Sequence, residues 1–152
     1  MSLQEDKKMI ENDTIKLLRE CDAGIKMGVK SIEDVLPYVK GSKLKKALEE
    51  CKRRHEHLAR EVEQALDRFH DEGKDPAMMA EVMSWMKTSM KMTLDSSDET
   101  IADLMTDGCN MGVKSLNRYI NEYQAADEDS KDIARRLVSL EDNLAKEIKH
   151  YL

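Results

Sequence analysis

The sequence predicts an all-α fold, because helical periodicity runs through most of it and residues that break helices are scarce. It contains six Gly and two Pro among 152 residues, which is well under the usual share of about 12%. Apolar residues recur at alternating steps of three and four along four long stretches, a spacing that places them on one face of a helix. With 40% hydrophobic and 37% charged residues, the composition is typical of a globular domain rather than a disordered chain.

A first helical hairpin is predicted over residues 12–70. An apolar stripe from Ile15 to Val39 indicates its first helix, and Pro37 predicts a kink in that helix or an early end to it, because the proline ring removes a backbone donor. A short turn at Gly41 follows, and a second stripe runs from Leu44 to Phe69. A turn this short makes the two helices antiparallel neighbours.

The rest of the chain predicts a connector and a second hairpin. A helix is expected over 76–95 as a crossover, and a second hairpin over 98–152, with Ser96 as the cap of a helix start. Residues 12–152 then form a single four-helix bundle. Residues 1–11 are expected to be a disordered or tag-derived N-terminus.

An internal repeat relates the two predicted hairpins. The segment Met27-Gly28-Val29-Lys30-Ser31 recurs 84 residues later as Met111-Gly112-Val113-Lys114-Ser115. Downstream, the segment 58–62 resembles the segment 144–148 at an offset of 86 residues. Each repeat is therefore one hairpin, and each hairpin has an apolar stripe that it can bury against the other.

In this arrangement the chain resembles the ferritin-like superfamily, and its repeated motif resembles an uncharacterised bacterial group with a domain of unknown function. The resemblance implies two antiparallel helix pairs related by a pseudo-twofold axis and joined by a long connection. Carboxylate-bridged members place a Glu on each of two helices and a Glu-x-x-His motif on each of the other two, which together bind two metal ions.

The resemblance implies a partial ligand set for Fe or Mn. Residues 147–150 are a literal Glu-x-x-His, whereas the repeat partner of that motif has Gln64 where the imidazole should be. An Asp stands where a bridging Glu is expected on the other two helices, and the histidine lies near a chain end that frays. Solvated acids are therefore favoured over a metal centre, with no catalytic group and no cofactor expected. The candidate ligands are Asp22, Glu61, Asp107, Glu147 and His150.

Two polar residues lie on otherwise apolar stripes. Asp22 on the first helix needs a partner, because an unpaired carboxylate in the core is costly. His55 on the second helix is expected to be a core histidine bonded to a side chain or a backbone carbonyl, with metal or proton chemistry as the alternative.

Four glycines occur inside predicted helices, where each costs about 1 kcal/mol relative to alanine. Their equivalent places in the two repeats imply a gain from close backbone approach. Contact between helices of the same chain is favoured over pairing between subunits. The residues are Gly24, Gly28, Gly108 and Gly112.

The predicted crossover is rich in methionine, and it lies outside both repeats. Methionine side chains adapt to varied apolar surfaces. A homodimer or an apolar protein partner is therefore expected to bind there. The expected interface residues are Met79, Met83, Trp85, Met86 and Met90.

Charge and composition exclude several classes. The formal net charge of −6 and the lack of a clustered basic face argue against nucleic-acid binding. No apolar stretch approaches the length of about 20 residues that spans a bilayer, and the three scattered cysteines suggest reduced core thiols. A cytoplasmic, non-catalytic interaction or scaffold module that self-associates is predicted. The alternative is a carboxylate-bridged di-metal oxidoreductase or metal-storage protein that uses Fe or Mn.

Overall fold

The computed structural model describes residues 2–71, 73 and 97–152, and it confirms the predicted all-α fold. No strand occurs in these ranges. The predicted crossover helix over 76–95 and its methionine-rich interface lie outside the described residues. The helices are α1 (Leu3–Val35), α2 (Ser42–Asp67), α3 (Asp98–Glu122) and α4 (Glu128–Ile148), with short 3₁₀ helices at Leu36–Tyr38 and Lys149–Tyr151.

The start of α1 differs from the disorder predicted for residues 1–11. The helix begins at Leu3, and Ser2 caps it: its side chain accepts a bond from the backbone N–H of Glu5, whose carboxylate accepts one from the N–H of Ser2. This reciprocal pair satisfies two backbone donors at the helix start. The side chains of residues 2–12 are exposed. This part of α1 therefore has no buried apolar face, and apolar periodicity does not predict that it is helical.

The turn between α1 and α2 is tied to the start of α3. The carboxylate of Asp98 accepts hydrogen bonds from the backbone N–H groups of Lys40 and Gly41, both at 2.8 Å. The cap of α3 is Ser97, one residue after the predicted position, and its hydroxyl accepts from the backbone N–H of Thr100 at 3.2 Å. The first hairpin's turn and the beginning of the second hairpin therefore lie at the same end of the bundle.

The turn between α3 and α4 is tied to α1 at the opposite end. The buried hydroxyl of Thr14 accepts a bond from the backbone N–H of Asp127 at 2.9 Å, and the carboxylate of Asp13 accepts one from that of Ala125 at 3.0 Å. Asp127 in turn caps α4 through the backbone N–H of Ser130.

The four helices surround two apolar clusters, one toward each end of the bundle. The order in which each helix passes the clusters shows that α1 and α4 run in one direction and α2 and α3 in the other. Neighbours around the bundle are α1 with α2, α2 with α4, α4 with α3, and α3 with α1. These four pairs are antiparallel, and α1 also contacts the parallel α4 across the bundle. The end of α2 and the start of α3 lie at opposite ends of the bundle.

None of the helices in the described ranges combines enough length with enough apolar character to cross a membrane.

Candidate functional site

A polar layer separates the two apolar clusters at the middle of the bundle. Each helix contributes one residue to it: Gly28 from α1, His55 from α2, Gly112 from α3 and Glu141 from α4. On each helix, one core residue lies three or four positions before the layer residue and another lies three or four positions after it, and the two belong to different apolar clusters. In chain order these flanking pairs are Ile25 and Ile32, Cys51 and Leu58, Cys109 and Leu116, and Leu137 and Leu144.

The centre of this polar layer is an ion pair between α2 and α4. The His55 side chain is 1% exposed, and its Nε2 lies 2.7 Å from Oε1 of Glu141. Its other ring nitrogen, Nδ1, lies 2.8 Å from the backbone carbonyl oxygen of Cys51. Since both nitrogens face an acceptor, both donate a hydrogen bond when the ring is protonated. The expected core histidine is therefore present, with both a backbone and a side-chain partner.

The surroundings of the ring favour its charged form. Burial alone opposes the charge, but the hydrogen bonds to Cys51 and Glu141 and the negative charge of Glu141 outweigh it and raise the pKa of His55 to about 10. The imidazolium therefore persists at neutral pH. The pair is a permanent ionic contact under these conditions rather than a sensor of small pH changes around 7.

Two thiols adjoin the pair. The sulfur of Cys51 lies 3.5 Å from Nδ1 of His55. Burial, together with the charge and hydrogen bonding of Glu141, raises the pKa of the Cys109 thiol. Cys109 therefore stays protonated as a hydrogen-bond donor, and a buried thiol of this kind is a poor nucleophile. Together with Cys21 these are free, buried cysteines, as the sequence predicted.

Of the four predicted glycines, Gly28 has a contact too close for a side chain, whereas Gly112 and Gly24 leave the distance of an ordinary van der Waals contact. A Cβ placed on Gly28 would lie 2.8 Å from Nε2 of His55, one on Gly112 would lie 3.6 Å from the carboxyl group of Glu141, and one on Gly24 would lie 3.5 Å from a neighbouring leucine methyl group. Gly108 differs from the prediction, since a Cβ there meets nothing within 4 Å. Gly108 is one residue away from the core-facing Cys109, and one residue turns a helix by about 100°.

Asp22 has the partner that its position requires. Its side chain is 8% exposed, and its carboxylate accepts a hydrogen bond from Nζ of Lys26, one turn along α1, at 2.8 Å. Asp22 also lies against Gly73, beyond the end of α2. The charge in the core is thus compensated within the first hairpin.

Glu61 is bound to an arginine on the surface between α2 and α4. Its two carboxylate oxygens accept hydrogen bonds from Nη1 and Nη2 of Arg136, each at 2.8 Å. This bidentate contact outweighs the effect of partial burial and holds the pKa of Glu61 below its ordinary value. The carboxylate therefore serves as an interhelical ion-pair partner.

The other predicted ligands lie apart from the polar layer. Asp107, Glu147 and His150 are exposed, and the ring of His150 lies 4.3 Å from that of Tyr151. The structure does not bring the five candidates together: in the described parts of the chain, no three or more His, Cys, Asp and Glu side chains form a group that could hold a metal ion.

Glu141 is the important residue that sequence reasoning missed. The predicted stripe on this helix passes through Leu140, which is only partly buried, whereas Glu141 is the residue that reaches His55. One signal was present. The two residues are 86 positions apart, the same separation that relates Leu58 to Leu144 in the repeat.

No family model, curated protein or solved structure matches this chain. The functional residues to consider are those that the bundle itself brings together, namely the ion pair of the polar layer and its two neighbouring thiols.

Proposed function

We propose that this protein is a ferritin-like bundle of two equivalent hairpins that acts as a non-catalytic interaction or scaffold module and self-associates. The antiparallel neighbours and the parallel α2 and α3 support the ferritin-like arrangement, since such a bundle needs one long connection. The positions of Gly28 and Gly112, one beside each member of the ion pair, support the equivalence of the hairpins.

The composition of the polar layer is the observation that carries the non-catalytic function. At the centre of a carboxylate-bridged ferritin-like bundle, all four helices supply inward-pointing acids and two of them add an imidazole. Here two helices supply glycine, and the one imidazole and the one carboxylate bind each other at 2.7 Å. The groups that a metal would need are engaged in holding α2 against α4, which favours a structural role for this interior.

Self-association is supported by apolar surface outside the two core clusters. The methionine-rich stretch between the repeats supports it from sequence, although it lies outside the described residues. In α1, Met9 and Ile10 are each 44% exposed, on turns that project beyond the bundle. Large contiguous apolar patches mark protein contact surfaces, and these two side chains, with the 79% exposed Leu3, add apolar surface at this end of α1.

We expect protein purified without chelator to carry no stoichiometric Fe or Mn, because the candidate acids are dispersed and Glu61 is bound to Arg136. Elemental analysis measures this directly, and Glu61→Ala should leave the result unchanged. The exposed Glu63 on the same helix supplies the matched control, Glu63→Ala. About two Fe or Mn per chain, lost in Glu61→Ala and retained in Glu63→Ala, would instead support the di-metal oxidoreductase or storage protein.

We expect multi-angle light scattering at micromolar concentration to give a mass above that of the 17.5 kDa monomer. Met83→Glu and Met86→Glu should shift the mass toward the monomer, because a charge in an apolar contact loses its hydration. Ser84→Glu introduces the same charge in the same segment and is the control. A monomer under all conditions, unaffected by either methionine substitution, would contradict self-association.

A further inference from the structure

The two charged residues of the polar layer occupy equivalent places in the two hairpins. His55 and Glu141 are 86 residues apart, as are Leu58 and Leu144 and the core residues Val62 and Ile148. They lie on α2 and α4, which are antiparallel neighbours. A twofold axis that passes between them would exchange the two positions.

The surroundings of the two positions are also similar. Gly28 lies beside His55, and Gly112 lies beside Glu141. A Cβ placed on Gly28 would be 2.8 Å from Nε2 of His55, and one placed on Gly112 would be 3.6 Å from the carboxyl group of Glu141. The ring of His55 donates to the carbonyl oxygen of Cys51, four residues earlier. The carbonyl of Leu137 is in the same relation to position 141. Each position therefore faces a glycine on the neighbouring helix and has a backbone carbonyl one turn earlier that an imidazole could use as an acceptor.

We propose that the His55–Glu141 pair is a pairing lock, which requires the first hairpin to pack against a second hairpin and prevents two like hairpins from packing together. The proposal rests on the equivalence of the hairpins and on the self-association proposed above. In a self-associating protein with two similar hairpins, first hairpins of two copies could meet, as could second hairpins. Such contacts would place His55 against His55, or Glu141 against Glu141, in an apolar interior.

Like charges in this layer would repel each other. The side chains of His55 and Glu141 are 1% and 12% exposed and lie between two apolar clusters, where an unpaired charge is more costly than at the surface. Fixing the partner and the register of helices is the best-attested use of a buried polar contact. The permitted partner is therefore the second hairpin, from the same chain or from a second copy of it.

A charge swap in the full chain tests the lock. We expect His55→Glu and Glu141→His to lower the urea midpoint strongly, because each creates a like pair. The double variant H55E/E141H restores an opposite pair and should recover about half or more of the loss, since residues in contact are coupled rather than additive. A double variant no more stable than the worse single variant would overturn the proposal. A double variant that folds where the single variants do not would support it.

A pH series separates charge repulsion from a mere packing defect. The midpoint of Glu141→His should rise between pH 5 and pH 8, as the paired imidazoles lose a proton, while that of the double variant should not rise. The other titratable side chains against the layer among the described residues are Cys51 and Cys109, and burial raises the pKa of the Cys109 thiol, so it stays protonated over this range. A midpoint of Glu141→His that does not change with pH would overturn the lock.

The same samples distinguish this proposal from the proposed function. The charge cycle measures coupling within one chain, whereas light scattering measures association. A wild-type protein that remains monomeric contradicts self-association even if the swap restores stability. A normal oligomer with no coupling between His55 and Glu141 contradicts only the lock.

Discussion

Replacing Glu141 with leucine is expected to lower the free energy of unfolding by about 3–5 kcal/mol at pH 7. The substitution removes the carboxylate oxygen that lies 2.7 Å from Nε2 of His55. The imidazole then remains in an apolar interior without that acceptor. Either the ring stays charged without a counterion, or it loses its proton at neutral pH, and both alternatives cost free energy. Urea denaturation followed by circular dichroism measures the loss.

Glu147→Leu is the matched control for this experiment. Glu147 lies on the same helix but is exposed, so its replacement should change the free energy of unfolding by no more than about 0.5 kcal/mol. Equal effects of Glu141→Leu and Glu147→Leu would show that the ion pair does not stabilise the bundle.

The cost of Glu141→Leu should also depend on pH. The pKa of His55 is about 10 in the folded protein and about 6.5 in the unfolded chain, so the folded state holds this proton more tightly. The resulting stabilisation is fully present below about pH 6.5 and is lost as the pH rises through about 10. The difference between wild type and variant should therefore shrink between pH 7 and pH 10. A constant difference across that range would contradict an ionic origin.

Gly28→Ala is expected to destabilise the protein, although alanine is the better helix former. The new Cβ would lie 2.8 Å from Nε2 of His55, and the ring cannot easily move because both its nitrogens are bonded. Overpacking of a core typically costs about 1–3 kcal/mol, against a gain of about 1 kcal/mol from helix propensity. Thermal or urea unfolding should give a lower midpoint than in the wild type.

Gly108→Ala is the control, since it makes the same chemical change inside a helix where nothing lies within 4 Å of the added methyl group. It should stabilise the protein by up to about 1 kcal/mol. Opposite signs for the two substitutions are the expected result. If both variants gained stability, the close approach of α1 to the polar layer would not be the reason for a glycine at position 28.

The sequence by itself determined the features that depend on neighbouring residues along the chain. Apolar periodicity predicts four helices, Pro37 lies just past the end of α1, and the three cysteines are buried and unpaired. Local geometry is enough for these features, because a helix, its cap and its end depend on a few residues on either side. The polar character of His55 within an apolar stripe was likewise enough to predict a bonded core histidine.

Only the tertiary structure decided which side chains meet. Periodicity locates the core face of a helix to within about one residue, and in α4 that uncertainty separates the partly buried Leu140 from Glu141. The same uncertainty separates Gly108, which has open space, from its neighbour Cys109 in the core. Rotation of each helix about its own axis is set by how all four pack together. For that reason the contacts of Glu61 with Arg136 and of His55 with Glu141, which join residues far apart in the chain, were not predictable from local sequence patterns.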